Sequence, residues 1–284
     1  MAALQNPGID LRLILDSGQL FNWTERGGSY FVAHAGHIIR LRQEGDALHY
    51  AVFPKPSGGK KLVSDLFSLG RDFPRELDEF ASDECVMSSV RACPGLSITR
   101  QDPWECLLSF IISQNNNIKR IRTTVLRLSE KIGEEVTVDG MPFHLFPSPE
   151  SLASASLGNL RSCGLGYRAE YVKKAAIAVV AGFDLDALRS MDYESAKARL
   201  LELDGVGGKV ADCVLVFGLG FREAFPVDLW IARIMRKHYV GRKMTEKKIS
   251  EFGRRRFGKN AAVVHEYFFA NRGNLCKMPA RRRS

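Results

Sequence analysis

The residue with the clearest capacity for covalent chemistry is Lys209, which follows a glycine-rich segment. Helix-forming stretches on both sides of Gly205, Gly207 and Gly208 predict a helical hairpin, with Lys209 in the first turn of its second helix. The helix macrodipole is positive there, so this position favours a neutral amine over a charged ammonium. A neutral amine is a nucleophile, which makes Lys209 a candidate for covalent catalysis. A lysine that only adds solubility is the alternative.

A carboxylate follows Lys209 by 19 positions, in the sequence Phe225, Pro226, Val227, Asp228. The proline ends the preceding element, and the aspartate is a preferred residue for capping the next helix. A carboxylate in such a place can also stabilise the positive charge that develops on a sugar when its leaving group departs. Asp228 is therefore a candidate for two roles, a helix cap and a catalytic group, and the two roles are compatible.

The glycines of the predicted hairpin also suit an anion. Gly205 and Gly207 permit positive φ angles and close approach of another backbone, and the N–H groups that open the second helix are free to bind. A nucleic-acid phosphate fits such a site without any reading of base sequence. The formal net charge of +9 agrees with a polyanionic partner. A plain hairpin with a glycine cap, in a merely basic protein, is the alternative.

The cysteines and the hydropathy argue against several other classes. None of the six cysteines forms a Cys-x-x-Cys pair, and they do not cluster near the C-terminus, so neither a zinc ribbon nor an iron–sulfur cluster is expected. We predict free thiols, no cofactor and no catalytic metal. The N-terminus lacks a secretory signal, and no apolar run reaches the roughly 18 residues of a membrane span. We therefore expect a soluble intracellular protein without membrane contact.

Two kinds of periodicity divide the chain. From residue 10 to about 56, aromatic and β-branched runs alternate with Gly and Asp turns, which predicts an antiparallel meander. After about residue 62 the apolar spacing becomes helical. We predict an α+β fold, with an N-terminal antiparallel β domain over residues 1–98 and an all-α domain over residues 99–284. The helices are predicted at residues 118–132, 168–182, 193–203 and 209–219, the hairpin at about 194–219, and a frayed basic tail at 281–284.

A resemblance to a known family rests on these segments and on three more. Residues 205–213 followed by Pro226, Val227 and Asp228 resemble the hairpin and the Gly/Pro-rich loop, with its essential aspartate, of the helix-hairpin-helix GPD superfamily of DNA glycosylases. The lysine resembles that of the bifunctional branch, which also nicks the abasic product. Other blocks resemble the 8-oxoguanine DNA glycosylase/AP lyase family within it. They lie at residues 17–23, 101–121 and 160–169.

The resemblance implies an enzyme of base excision repair that removes 8-oxoguanine from duplex DNA. Lys209 would attack the sugar carbon and form a Schiff base, with Asp228 assisting, and β-elimination would then cut the strand. The implied partner is double-stranded DNA that contains a damaged base, bound by a monomer. Two alternatives stay open: a glycosylase for another damaged purine, and a non-catalytic hairpin module that only binds DNA. Borohydride trapping separates them, because only a Schiff-base enzyme becomes linked to DNA.

The resemblance also assigns roles around a flipped base. The backbone carbonyl of Gly18 would accept the N7 hydrogen that 8-oxoguanine has and guanine lacks. Cys213 and Phe269 would sandwich the base, and Phe21 and His265 would complete the lesion pocket. His265 departs from the family, which usually has Gln there. A neutral imidazole offers one donor and one acceptor in a different geometry, so the lesion range stays open.

The remaining assignments concern the opposite strand and the phosphates. Asn115 would fill the hole left by the flipped base, Tyr167 would wedge between neighbouring bases, and Arg120 and Arg168 would hold the widowed cytosine. The implied phosphate contacts are Gly205, Gly207 and Trp230, and Trp230 replaces a His of some relatives. A structural cation held by carbonyls stays open at Leu201, Leu203 and Val206. Taken alone, these residues also fit a polar helix end, ordinary phosphate contacts and core packing.

Overall fold

A five-stranded antiparallel sheet forms the N-terminal part of the molecule. The computed structural model describes residues 1–5 and 7–279, so the predicted basic tail lies outside the described residues. The strands are β1 (Ala2–Gln5), β2 (Trp23–Arg26), β3 (Ser29–His34), β4 (His37–Glu44) and β5 (Ala47–Phe53), in the spatial order β1-β5-β4-β3-β2. Tight turns at Gly27 and Gly28 and at Ala35 and Gly36 have positive φ at both residues, which matches the twist of a hairpin. The predicted meander is confirmed for β3 to β5.

Helices make up most of the remaining chain. They are α1 (Leu11–Asp16), α2 (Gly59–Leu66), α3 (Phe73–Glu76), α4 (Glu84–Ala92), α5 (Pro103–Ile112), α6 (Ile118–Ile132), α7 (Pro149–Ser154), α8 (Leu157–Leu160), α9 (Arg168–Val180), α10 (Tyr193–Leu201), α11 (Gly208–Cys213), α12 (Leu229–His238), α13 (Glu246–Phe257), α14 (Ala261–Ala270) and α15 (Arg272–Lys277). A π-helical turn at Val214–Leu219 continues α11. None of these helices, in the described part of the chain, has the length and apolar character needed to cross a bilayer.

The α+β class is confirmed, and the structure adds strands to the part predicted as all-α. Strands β6 (Glu135–Val138) and β7 (Met141–His144) form a hairpin whose turn residues, Asp139 and Gly140, both have positive φ. The Asp-Gly pair is a strong hairpin signal. The hairpin packs on the N-terminal sheet, where the rings of Phe31 and Phe143 stack with centroids 4.3 Å apart. Such short strands gain their stability from this sheet, which the local pattern does not reveal.

Of three buried hydrophobic clusters among the described residues, the smallest joins the N-terminal sheet to the hairpin of β6 and β7, and two large cores hold the other elements together. One lies among α5, α6, α9, α10 and α11. The other joins the N-terminal sheet and helices α1, α2 and α4 to helices α12, α13 and α14, because Leu11, Val32 and Val86 belong to the same buried cluster as Ile231 and Val264. The last helices therefore return to pack on the first elements of the chain. The boundary predicted between residues 98 and 99 stays a prediction.

Candidate active site

The predicted hairpin is formed by α10, a glycine turn and α11. Gly205 has a φ of +83°, and a Cβ atom there would lie 2.3 Å from Cγ of Tyr171. The turn thus requires glycine for its conformation and for the close approach of the ring. The side chain of Gln114 reaches the turn from the end of α5 and donates to the Gly205 carbonyl at 2.9 Å. Gly207 and Gly208 are exposed at the start of α11.

Lys209 lies in the first turn of α11, as predicted, and is half-buried. Its Nζ donates to Oγ of Ser113 at 3.0 Å and lies 4.8 Å from the ring centre of Phe110. The Ser113 hydroxyl donates its own hydrogen to the Phe110 carbonyl at 2.7 Å. Since that hydrogen is already used, Ser113 can only accept from the lysine. The end of α5 therefore fixes the direction of one N–H bond of the amine.

Asp228 caps α12, and its Oδ1 accepts the backbone N–H of Ile231 at 2.8 Å. The predicted cap is confirmed. The preceding residues Pro226 and Val227 are buried, whereas Asp228 itself is half-buried. The cap bond fixes the rotation of the carboxylate, and the buried segment before it fixes the position of its backbone.

Lys209 and Asp228 line the same open cavity, which has a volume of about 960 Å³. This space is large enough for a nucleoside with part of its strand. Ten of the predicted site residues contribute to its lining, namely Gly18, Phe21, Asn115, Arg120, Lys209, Cys213, Asp228, Trp230, His265 and Phe269. Tyr167, Arg168, Gly205 and Gly207 lie outside the lining.

A glycine of the N-terminal part closes one side of this cavity. Gly18 has a φ of +93°, and a Cβ atom there would lie 2.8 Å from Cδ1 of Ile118 and 3.2 Å from Cε1 of Phe269. The backbone is anchored next door by the fully buried Gln19, whose side chain donates to the Ser97 carbonyl at 2.8 Å. The main chain at Gly18 is therefore a rigid wall that no larger residue can form without displacement.

Comparison of the chain with known protein families identifies two matching segments. Residues 108–259 match the family described as HhH-GPD superfamily base excision DNA repair protein, and residues 3–107 match the 8-oxoguanine DNA glycosylase, N-terminal domain. The chain belongs to the HhH-GPD superfamily.

Relatives of this superfamily member match along most of its length. It is 32% identical to the probable N-glycosylase/DNA lyase of Methanothermobacter thermautotrophicus, covering 92% of both chains. It is 39% identical to the N-glycosylase/DNA lyase of Saccharomyces cerevisiae, covering 84% of this chain and 70% of that protein. It also resembles the solved Clostridium acetobutylicum 8-oxoguanine glycosylase/lyase in complex with DNA containing cytosine opposite 8-oxoG, with a TM-score of 0.87, 31% identity, and 95% and 93% coverage.

In this superfamily member the predicted base-contacting side chains Phe21, Cys213 and His265 are buried, and Phe269 is half-buried. Burial, and then the charge of Lys209, lower the pKa of His265 to about 3, so its imidazole is neutral at physiological pH. The ring lies parallel to Phe269 with centroids 6.4 Å apart, and its Nδ1 is buried without a hydrogen-bond partner among the residues that the structure describes. Burial raises the pKa of the Cys213 thiol to about 12, against the opposing effect of Lys209. The pocket wall therefore presents a neutral imidazole and an intact thiol.

The residues predicted to contact the opposite strand differ from one another in exposure. Asn115 is exposed with a φ of +48°, and its Nδ2 lies 3.3 Å from the hydroxyl of Tyr167, which is 51% exposed. Arg120 is exposed on the first turn of α6. Arg168 is instead buried, and its Nε and Nη2 donate to the carbonyls of Gln114 and Asn115 at 2.8 and 3.2 Å. The guanidinium of Arg168 therefore supports the segment that carries Asn115. Contact between Arg168 and an orphaned base stays a prediction.

The predicted phosphate and cation contacts can be located as well. Trp230 is 39% exposed at the start of α12, with the guanidinium of Arg233 5.1 Å from its ring centre. The Leu203 carbonyl, one of those suggested for a structural cation, accepts the N–H of Val206 at 3.0 Å. Among the described residues, no group of three or more His, Cys, Asp or Glu side chains is arranged to hold a metal. The cation site stays a prediction.

Sequence reasoning missed four residues that position the site. Ser113 and Gln19 hold Lys209 and the Gly18 segment through long-range hydrogen bonds. Asp212 lies behind Lys209 in a buried cluster. Glu266 is 1% exposed in the cavity wall, where burial raises its pKa to about 7 against the lowering effects of Ser17 and Arg272. The sequence had one signal for Asp212, its position three residues after Lys209 in the same predicted helix. It had no comparable signal for Ser113, Gln19 or Glu266.

Proposed function

We propose that this chain is a bifunctional DNA glycosylase/AP lyase that excises 8-oxoguanine from duplex DNA in base excision repair. The observation that carries the proposal is the convergence of the Lys209 amine and the Asp228 carboxylate on one cavity. The rigid Gly18 backbone and a neutral His265 line the same cavity. A nucleophile, an anionic group and a neutral base pocket are the parts that this reaction requires.

The proposed chemistry uses the lone pair of the Lys209 amine, which is available once Nζ has given up a proton. Nζ forms a bond to C1′ of the damaged nucleotide while the C1′–N9 bond breaks, and its electron pair leaves with the base. The base takes up a proton, and the nitrogen loses one. The Asp228 carboxylate stabilises the positive charge that develops on the sugar. Ring opening then gives a Schiff base between Nζ and C1′.

Strand cleavage follows from the same intermediate. The iminium group acidifies C2′, and loss of a C2′ proton gives an enamine in which the former C–H electron pair forms the C1′–C2′ double bond. The nitrogen lone pair then restores the iminium, a C2′–C3′ double bond forms, and the C3′–O bond breaks, so that the 3′ phosphate leaves with that electron pair. Hydrolysis of the imine then returns the free amine of Lys209. No redox partner or metal enters this balance of atoms and electrons.

We propose that the lesion is read by the backbone carbonyl of Gly18. 8-Oxoguanine has a hydrogen on N7, where guanine has a lone pair. A fixed carbonyl therefore gains a hydrogen bond from the lesion and meets repulsion from guanine. The buried side chains of Cys213, Phe21 and His265, together with Phe269, would surround the base, because it must leave the duplex to reach them.

On the opposite strand, Asn115 would occupy the vacated position, with Tyr167 as the wedge. Arg120 and Arg168 would hold the orphaned cytosine, while Gly205, Gly207 and Trp230 would contact phosphates. We further propose that the enzyme works inside the cell as a monomer, since the proposed nucleophile, Lys209, and its partner Asp228 meet at one cavity within a single chain.

The decisive test is borohydride trapping on duplex DNA that contains one 8-oxoguanine opposite cytosine. We expect the wild-type chain to become covalently linked and Lys209→Gln to lose both linkage and excision by at least roughly 10³-fold while it still binds the DNA. Lys119→Gln, a charge loss at the same cavity, is the control and should keep trapping at saturating enzyme. Comparable turnover by Lys209→Gln would overturn the assignment of the nucleophile.

A further inference from the structure

A buried polar cluster lies directly behind the nucleophile. Asp212, three residues after Lys209 on α11, is only 2% exposed. Its carboxylate accepts the hydroxyl of Tyr193 at 2.6 Å, and Nζ of Lys197 lies 2.8 and 2.9 Å from its two oxygens. Both partners belong to α10, the other helix of the hairpin. The cluster therefore locks the two helices to each other behind the glycine turn.

A serine extends this cluster to the loop that carries Asp228. The hydroxyl of Ser250, on α13, lies 3.2 Å from Oδ2 of Asp212 and 2.9 Å from the carbonyl of Phe225. Ser250 is itself buried. Since a hydroxyl has one hydrogen, it is shared between the two acceptors. The helix of Lys209 and the segment three residues before Asp228 thus meet at one buried hydroxyl.

The same helix also fixes the side chain of Phe225. A Cβ atom at Gly253 of α13 would lie 2.5 Å from Cδ1 of that ring, so only glycine leaves room for it. On its other side the Phe225 ring meets His265 edge-to-face, with centroids 5.6 Å apart. Ser250 and Gly253, one turn apart, therefore hold the carbonyl and the ring of the residue that begins the loop of Asp228.

From this arrangement we infer that Asp212 and Ser250 are positioning residues of the excision reaction, which set the separation between Lys209 and Asp228. The inference rests on the proposed function, because it takes those two residues as the reacting pair. An amine and a carboxylate on separate elements must meet the same sugar, and small displacements of such groups reduce rates steeply. The buried hydroxyl is the direct polar link between the two elements behind the cavity.

A purely structural role would have a different signature. A buried ion pair such as that of Asp212 and Lys197 contributes little net stability, but breaking it by removal of one partner is costly. Loss of stability alone would reduce the fraction of enzyme that is folded. It would not change the excision rate of the folded molecules. Positioning predicts a lower rate of the chemical step at unchanged affinity for DNA.

The test compares Ser250→Ala with Ser68→Ala. Ser68 is also buried, its hydroxyl donates to the Ile98 carbonyl at 2.7 Å, and neither residue lines the cavity. We expect similar melting temperatures for the two variants. Single-turnover excision should fall roughly tenfold for Ser250→Ala and less than about twofold for Ser68→Ala. Affinity for duplex DNA with a tetrahydrofuran abasic analogue should be equal in both. Equal excision rates would overturn the inference.

A second variant covers the case in which Ser250→Ala does not fold. Tyr193→Phe removes one hydrogen bond to Asp212 on the far side of the cluster and keeps the ring. We expect a smaller loss in single-turnover excision, roughly threefold, again without loss of affinity. An unchanged rate in this variant would also count against the inference.

Failure of this inference is distinguishable from failure of the proposed function. If Lys209→Gln keeps borohydride trapping, the nucleophile is wrong and the proposed function fails. If trapping depends on Lys209 but Ser250→Ala and Ser68→Ala excise equally fast, only the positioning role fails. The three variants are measured on the same lesion duplex under the same conditions.

Discussion

The cavity has two sides of opposite character. Its inner wall, defined by Lys209, Cys213, Asp228 and His265, is buried or half-buried, and Lys209 and Asp228 have assigned hydrogen-bond partners. Its rim, defined by Asn115, Arg120 and Trp230, is exposed, and so is Tyr167 just outside the lining. The chain itself thus holds Lys209 and Asp228 in place, whereas Asn115, Arg120 and Tyr167, which we propose to meet the opposite strand, are exposed. Changes at the wall should affect the reaction itself, and changes at the rim should affect the choice of substrate.

The largest expected effect after loss of the nucleophile is at Asp228 in the inner wall. Asp228→Asn removes the charge and keeps a good helix cap, so we expect single-turnover excision to fall roughly 10²-fold with little change in melting temperature. Asp192→Asn, at the cap of α10, is the matched control. Similar rates for the two variants would mean that Asp228 is only a cap.

At the rim, Arg120→Met should alter substrate choice. A cytosine that has lost its partner presents two adjacent acceptors to a guanidinium, whereas adenine presents a donor beside its acceptor. A bidentate base contact is worth ~1–3 kcal/mol, so we expect the cytosine-to-adenine preference to fall by roughly five- to 150-fold. Single-turnover excision opposite each base measures this ratio. If Arg120 contacts only phosphate, rates opposite all four bases will fall together, as they should for Lys119→Met.

His265→Ala tests whether the inner wall reads the base as well as reacting with the sugar. We expect excision of 8-oxoguanine to fall roughly fivefold, because a buried hydrogen-bonding group is removed from the base pocket. Binding to a tetrahydrofuran abasic analogue, which has no base, should change less. Equal losses in both measurements would place His265 outside the base pocket.

The smallest effect concerns stability at Glu266. Its pKa in the folded chain, about 7, lies above the ordinary value of 4.5. The folded state therefore binds the proton more tightly, and this stability is present below about pH 4.5 and is lost as the pH rises through 7. Glu266→Gln should raise the free energy of unfolding at pH 8 by up to about 3 kcal/mol and change it little at pH 4.5. The control is Glu251→Gln at an exposed position of α13, measured at the same two pH values.

The sequence was sufficient for the parts of the site that rest on local pattern. The glycine turn, the helix that begins before Lys209 and the cap at Asp228 are short-range features, and the structure has all three. The burial of Arg168 and the contact between Ser113 and Lys209 join segments 54 and 96 positions apart. Such pairs follow from tertiary packing, which local periodicity does not specify. The hairpin of β6 and β7 had a local signal in Asp139 and Gly140, but its strands are too short for an apolar period.

The return of the last helices to the first elements has a consequence for how the protein is made. The position of Gly18 is bounded by the ring of Phe269, so one wall of the cavity joins residues near opposite ends of the chain. A ribosome delivers the N-terminal part first. While the chain is still being synthesised, the glycine turn and Lys209 emerge before the helix that carries His265 and Phe269. In a nascent chain the segment of Lys209 is therefore present before the residues of α14, and the wall that Gly18 shares with Phe269 forms only after α14 has been synthesised.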